Sequence, residues 1–172
     1  AAWFAGMGPH TVAFANETVA VCDAGGGTTD LALIQYVPSP DGRALMPRVE
    51  LGLGGLAFAG ERLTDRLQEL VLRQPGAQED WEGFDEDERI TARLAIEEAK
   101  RNLSEEDAVL IRLDPGRRAY SVRRKQFGGA IRSELSDLAS AVQVMLQRAR
   151  LGARDVHRLF LVGGSSLVPS VQ

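Results

Sequence analysis

The sequence predicts an α/β fold, in which a mixed sheet with flanking helices carries a small α+β subdomain. Apolar and β-branched runs separated by turn residues fill the first third of the chain, which is typical of strands. In the middle third the apolar residues recur at helical spacing. Strands, helices, a hairpin, a helix and a final strand follow one another, and this order favours the α/β class.

The predicted strands surround a run of three glycines. The turn residues Asn16-Glu17 separate strands at residues 11–14 and 19–23. Beyond the glycines, further strands are expected at residues 31–37 and 48–53. The glycine run therefore lies between the end of one strand and the start of the next.

Helices and one hairpin are predicted for the remainder. A helix around residues 63–71 ends before Gln74-Pro75-Gly76, and the acidic residues 78–88 are a loop or a helix start. The other elements are a helix at residues 90–103, a hairpin of residues 109–113 and 119–122, one long helix at residues 125–149, a strand at residues 158–162, and a helix opened by Pro169.

Composition excludes several classes of protein. The chain has 20 basic and 24 acidic residues, and this mild acidity argues against a nucleic-acid partner. No apolar run approaches the roughly 20 residues needed to cross a membrane. Cys22 is the only cysteine, which excludes an internal disulfide framework and a cysteine-based zinc site and predicts a reducing, cytoplasmic location. The sequence begins at Ala1 and stops soon after Pro169, so we expect a part of a longer protein.

The sharpest motif joins a strand to the glycine turn, at residues 23–30. Glycines let successive backbone N–H groups face one concavity, which suits phosphate oxygens. A carboxylate beside phosphate needs a cation between them, and Mg²⁺ binds through one or two carboxylates, phosphates and water. Asp23 is thus the candidate for Mg²⁺ through water, and Thr28 for a phosphate or an attacking water. The alternative is a plain hairpin turn that these two side chains cap.

A second motif places Glu97, Lys100, Arg101 and Ser104 on one helix face, because they follow one another at i, i+3, i+4 and i+7. The first two can reach ribose hydroxyls, and a guanidinium can lie flat on a base. The alternative is a solvated face with stabilising Glu–Lys and Glu–Arg pairs.

A third motif is the turn that follows the last predicted strand, Gly163-Gly164-Ser165-Ser166. Open α/β sheets bind ligands at the carboxyl ends of their strands. The two glycines would let a flat base or a phosphate lie against bare backbone.

These motifs, in this order, resemble those of the 70-kDa heat-shock chaperone family of the actin/hexokinase-like ATPase superfamily. Residues 23–30 are similar to its second phosphate motif, D-x-G-G-G-T-x-D. Residues 97–104 are similar to its nucleotide-binding helix, E-x-A-K-x-x-L-S, and residues 161–169 to its adenosine motif. A weaker likeness joins residues 60–67 to G-E-D-F-D-x-R-L, so the resemblance covers essentially the whole chain.

The resemblance implies the second lobe of that family's nucleotide-binding domain, an actin-like (ribonuclease H-like) ATPase lobe. Residues 1–53 and 124–172 would form its core subdomain, and residues 54–123 the smaller subdomain that clamps adenine. The first lobe, with its phosphate loop and catalytic lysine, has no counterpart, so this lobe alone is expected to be inactive. The first lobe, a nucleotide-exchange factor, a co-chaperone and unfolded clients are the implied partners.

The implied cofactors are ATP or ADP with Mg²⁺. Asp23 and Thr28 would be the catalytic residues, with Asp23 orienting Mg²⁺ and water. The residues that would hold phosphate, ribose and adenine are Gly25, Gly26, Gly27, Glu97, Lys100, Arg101, Ser104, Gly163, Gly164 and Ser165.

Three departures point to a divergent member of a stress-response family. Leu167 stands where the family has an arginine that stacks on adenine, Thr29 stands where a phenylalanine is usual, and the hairpin at residues 109–122 is short. Two other functions stay open: a sugar or small-molecule kinase of the same superfamily, and a degenerate interaction module that no longer binds nucleotide.

Overall fold

The computed structural model describes residues 15–172 except 115 and 117, so the strand predicted at residues 11–14 lies outside the described residues. The strands are β1 (Thr18–Ala24), β2 (Thr29–Pro38), β3 (Leu45–Leu56), β4 (Ala108–Arg112), β5 (Ala119–Arg123) and β6 (Arg158–Val162). The helices are α1 (Gly60–Leu72), α2 (Ala77–Glu82), α3 (Glu86–Asn102), α4 (Arg124–Ala130) and α5 (Arg132–Arg148), with short 3₁₀ turns at Ala153–Asp155 and Gly164–Leu167.

Four of these strands form a mixed sheet in the order β3-β2-β1-β6. β1 pairs antiparallel with β2 and parallel with β6, so the ends of β1 and β6 lie at the same edge of the sheet. Within that pairing Asp23 lies opposite Val162, one residue before the Gly163-Gly164 turn. The predicted α/β class is confirmed, and the sheet brings the first and third motifs together.

The second motif lies on α3, outside the four-stranded sheet. β4 and β5 form the predicted hairpin, and α1, α3, α4 and this hairpin surround the larger apolar core, with Leu63, Leu67, Ile96, Ile111 and Phe127 almost fully buried. α3 starts earlier than predicted, because Asp85 and Glu88 form a reciprocal cap at its first turn.

The single helix predicted at residues 125–149 is wrong, because the chain divides it into α4 and α5 at Ile131. Gly128 and Gly129 weaken the helix there. A side chain at Gly128 would also come within 2.6 Å of the Ser170 hydroxyl, so this turn packs closely against the end of the chain. The break lets Phe127 and Ile131 enter the larger apolar core, while Met145 packs against the sheet with Cys22.

Two smaller predictions concern the segment before α3 and the segment after the last 3₁₀ turn. Residues 78–88 hold the short helix α2 and the start of α3. The helix that Pro169 is predicted to open stays a prediction, because only three residues follow Pro169; in them Val171 N–H closes a turn on the Val168 carbonyl at 2.8 Å. Among the described helices, none is both long and apolar enough to cross a membrane.

Candidate functional site

The glycine loop between β1 and β2 presents free backbone donors. Gly25 N–H closes the loop on the Thr28 carbonyl at 3.0 Å, and Gly26, Gly27 and Thr28 are exposed. Within the described part of the chain, no acceptor is bonded to the N–H groups of Gly26 and Gly27. Two adjacent free N–H groups are suited to an anion such as phosphate.

The carbonyl groups of the same loop hold it to the rest of the site. The Gly25 carbonyl accepts hydrogen bonds from Gly60 N–H at 2.9 Å and from the Ser165 hydroxyl at 2.8 Å. The Gly26 carbonyl accepts one from Glu61 N–H at 2.7 Å. The loop is therefore fastened to the first turn of α1 and to the turn that follows β6.

The glycines of the site fall into two kinds. Gly163 has φ +84°, and a Cβ there would lie 2.3 Å from the Ala24 carbonyl oxygen, so the fold itself requires glycine. At Gly26, Gly27 and Gly164 a Cβ would meet nothing within 4 Å, and none of the three has a positive φ. Neither packing nor backbone conformation in the described residues therefore requires glycine at these three positions.

The α3 motif is partly engaged in contacts within the chain. Arg101 pairs with Glu97 at 2.6 Å on an exposed face. Lys100 is half-buried and donates to the Gly60 carbonyl and to the Thr64 hydroxyl, each at 2.8 Å. Burial lowers the pKa of Lys100, and the neighbouring Glu97 carboxylate acts in the opposite direction. Ser104 lies beyond the end of α3, in the turn that follows it.

A cavity of about 430 Å³ lies where these elements meet, which is within the size range of small-molecule sites. Most of the predicted cofactor residues line it: Gly25, Gly26, Glu97, Lys100, Arg101, Ser104, Gly164 and Ser165. The sequence reasoning missed Gly60, Glu105 and Val168, which line it too. Gly60 is the first residue of the weak likeness at residues 60–67, and Val168 lies within the motif at residues 161–169, whereas Glu105 had no signal.

Four predicted site residues do not line this cavity. Gly163 packs against the end of β1, with its ideal Cβ position 2.8 Å from Asp23 Oδ1. Asp23 itself is half-buried near the end of β1, and Gly27 and Thr28 lie on the exposed part of the loop. Among the described residues, no group of three His, Cys, Asp or Glu side chains could hold a metal. Asp23 alone suits Mg²⁺ that keeps most of its water or phosphate ligands.

Leu167 and Thr29, the two residues that differ from the motifs of the resembled family, lie in different surroundings. Leu167 is 62% exposed and lines the cavity, as does Arg101. Its side chain is therefore available to a ligand and is not part of the core. Thr29 is fully buried, and its hydroxyl donates to the Phe58 carbonyl, so the threonine forms a hydrogen bond within the fold.

A charged cluster lies outside the cavity, where α5 meets α1. Glu134 is buried, and its carboxylate accepts hydrogen bonds from Arg66 and from Ser133. Arg62 is 3.4 Å from the same carboxylate oxygen. Burial alone would raise the pKa of Glu134, but the bonds from Arg66 and Ser133 outweigh it and hold the pKa below its usual value. The cluster ties α1 to α5.

Comparison with known proteins decides the family. A family model described as Hsp70 protein matches residues 6–172. The chain belongs to the Hsp70 family. Its sequence is 30% identical to a chaperone protein HscA homolog of Variovorax paradoxus over 92% of this chain and 24% of the relative. It is 31% identical to the chaperone protein DnaK of Deinococcus deserti over 91% of this chain and 26% of the relative.

A plant relative gives the same result. The chain is 30% identical to the stromal 70 kDa heat shock-related protein of Pisum sativum, a chloroplastic protein, over 91% of this chain and 23% of that protein. The chain thus spans about a quarter of the length of the relatives it matches. Family membership establishes Hsp70 chaperone homology, and the family implies nucleotide binding.

Proposed function

We propose that this chain is the second lobe of an Hsp70-type nucleotide-binding domain and contributes one side of an ATP site. The observation that carries the proposal is that some glycines of the site are not required by the fold. Gly26, Gly27 and Gly164 need no glycine for the fold, yet they border or adjoin the cavity. A ligand that lies against bare backbone accounts for all three.

The chemistry of the residues suits a nucleotide. The free N–H groups of Gly26 and Gly27 would bind phosphate oxygens, and Thr28 adds a hydroxyl to the same loop. Arg101 would stack on the base, and Leu167, which also lines the cavity, would give apolar contact. Glu97 would release part of its pairing with Arg101 to accept a ribose hydroxyl.

The residues that are present fit Mg²⁺ held by water and phosphate. When bound, Mg²⁺ would neutralise the charge that develops on the phosphates during hydrolysis. Asp23 would hold water of its coordination shell, and Thr28 would place an attacking water. The other half of the phosphate site belongs to the first lobe, so hydrolysis, client binding and regulation by co-chaperones or an exchange factor are proposed only for the whole protein. A cytoplasmic location is part of this proposal, and it rests on the buried single thiol.

Titration with labelled ADP and ATP, with and without Mg²⁺, tests the proposal. The protein is the full-length protein that contains this chain, and the matched variant is Gly26→Val. A Cβ at this position meets nothing within 4 Å, so the variant should keep its melting temperature and lose ADP affinity by about tenfold or more. Unchanged ADP affinity in this variant would contradict placement of phosphate on the loop.

A degenerate interaction module is the second candidate. It is favoured by Leu167 in place of a stacking arginine and by the Glu97–Arg101 pair, which already satisfies two predicted nucleotide ligands. Failure of the wild-type protein to bind ADP or ATP at millimolar concentration would support it. Family membership favours both candidates over the small-molecule kinase.

A further inference from the structure

Glu105 lines the cavity and carries a carboxylate that the fold does not use. It follows Ser104 in the turn beyond the end of α3 and is exposed. The other carboxylate that lines the cavity, that of Glu97, is paired with Arg101. Within the described part of the chain, the Glu105 side chain forms no hydrogen bond or ion pair. Its carboxylate is therefore free to accept a hydrogen bond from a ligand.

The position of Glu105 along the chain puts it near the base of a bound nucleotide. Lys100 donates to the Gly60 carbonyl, and Gly60 N–H donates to the Gly25 carbonyl, so Lys100 lies beside the glycine loop. Glu105 is five residues further along, which is more than one helical turn. With phosphates on the loop and Arg101 stacked on the base, the edge of the base would face Glu105.

The face of a base gives little selectivity, because every base has a π-face on which a side chain can stack. Arg101 and Leu167 would both contact that face, so neither would distinguish one purine from another. Selection among purines therefore depends on polar groups at the edge of the base. The cavity residues in that position are Ser104 and Glu105.

A carboxylate distinguishes purines by the group at position 6, since it can only accept hydrogen bonds. Adenine has an amino group there, which donates. Hypoxanthine and guanine have a keto oxygen, which accepts and would face a negative charge. The Ser104 hydroxyl can donate to the adjacent ring nitrogen N1 of adenine. Ser104 and Glu105 together thus offer the donor and the acceptor that match the edge of adenine.

We propose that Glu105 is a specificity residue, whose carboxylate accepts a hydrogen bond from the 6-amino group of adenine and disfavours purines with a 6-keto group. This inference rests on the proposed nucleotide site and deepens it by naming the residue that selects the base. The stacking contact still belongs to Arg101.

The experiment measures the binding of ADP, IDP and GDP to Glu105→Ala and Glu105→Gln in the full-length protein that contains this chain. The base of IDP is hypoxanthine, so IDP presents a keto group where ADP presents an amino group. We expect the wild type to bind ADP about tenfold more tightly than IDP. Glu105→Ala should bind the two nucleotides within about twofold of each other, because the selecting group is gone.

Glu105→Gln separates base selection from charge. Its amide can accept from the amino group of adenine and can also donate to a keto oxygen. This variant should bind IDP several-fold more tightly than the wild type does and keep ADP within about threefold. Glu106→Ala and Glu106→Gln are the matched controls, because Glu106 is the exposed neighbour that does not line the cavity. They remove the same charge and should leave the ratio of ADP to IDP affinity unchanged.

Three results would overturn the proposal. The first is a ratio of ADP to IDP affinity in Glu105→Ala equal to that of the wild type. The second is an equal loss of ADP and IDP affinity in that variant, because this pattern indicates that Glu105 positions Arg101 and does not select the base. The third is a wild type that prefers IDP or GDP, since the carboxylate would then accept from the N1–H of a keto purine.

The same measurements distinguish this inference from the proposed function. A wild type that binds ADP and IDP equally, with both weakened by Gly26→Val, would refute base selection and keep the proposed nucleotide site. A wild type that binds no nucleotide would refute the proposed function, and with it this inference.

Discussion

Alanine substitution of the two adjacent glycines after β6 should give opposite results. At Gly163 an alanine must adopt φ +84°, which costs an L-residue about 1–3 kcal/mol. Its Cβ also meets the Ala24 carbonyl oxygen at 2.3 Å, and such overpacking costs a further ~1–3 kcal/mol. Together these effects are a large share of the roughly 5–15 kcal/mol by which a typical domain is stable. At Gly164 a Cβ meets nothing within 4 Å, so the free energy of unfolding should change by less than about 1 kcal/mol.

Denaturant unfolding of Gly163→Ala and Gly164→Ala, followed by circular dichroism, measures the difference. Titration with ADP adds the second half of the test. Gly164→Ala should keep its stability and bind ADP more weakly, because the new methyl group occupies cavity space.

Equal unfolding free energies for the two variants would refute the close approach of Gly163 to β1. A Gly164→Ala variant that is stable and binds ADP as tightly as the wild type would refute ligand contact at Gly164. That result would not affect the description of the fold.

Three further predictions concern the charged and apolar residues. Asp23→Asn in the full-length protein should keep the fold and slow single-turnover ATP hydrolysis about 10²-fold or more, because the charge that we propose faces Mg²⁺ would be lost; an unchanged rate would remove Asp23 from the site. Leu167→Arg should tighten ADP binding about 2- to 30-fold with an unchanged melting temperature, because the exposed side chain can place a second guanidinium over the base; a lower melting temperature without tighter binding would place Leu167 elsewhere. Glu134→Gln should lower the free energy of unfolding by about 1–3 kcal/mol at pH 7, since a buried charge-assisted pair is lost. The pKa of Glu134 is lowered in the folded protein, so its contribution to stability is complete above the ordinary pKa of 4.5 and is lost as the pH falls through the folded pKa. The unfolding free energies of wild type and Glu134→Gln should therefore converge at low pH.

The strands and the hairpin could be predicted from sequence because their signals are local. The strand predicted at residues 158–162 matches β6, and apolar runs bounded by turn residues located β1 and β2 within a few residues. The division of the long helix could not be predicted in this way. Its apolar stripe continues through Gly128, and the contact that accompanies the break is with Ser170, far along the chain.

The site shows the same division between local and distant causes. Spacing placed Glu97, Lys100 and Arg101 on one face of α3, and the structure brings that face to the glycine loop. The spacing could not reveal that Lys100 donates a hydrogen bond to Thr64, which precedes it by 36 residues in the chain. The sequence also could not distinguish Gly163, where the fold requires glycine, from Gly164, where the fold does not require it.

The single thiol of the sequence makes separation of α5 from the sheet measurable without an engineered label. Cys22 is 2% exposed on β1, beneath α5, and burial followed by the nearby Asp23 charge raises its pKa. An alkylating reagent needs an accessible thiolate, so the closed protein is doubly protected. The rate of modification in excess reagent therefore reports how often the interface between the sheet and α5 opens, and a ligand that binds only the closed form should slow that rate in proportion to its occupancy.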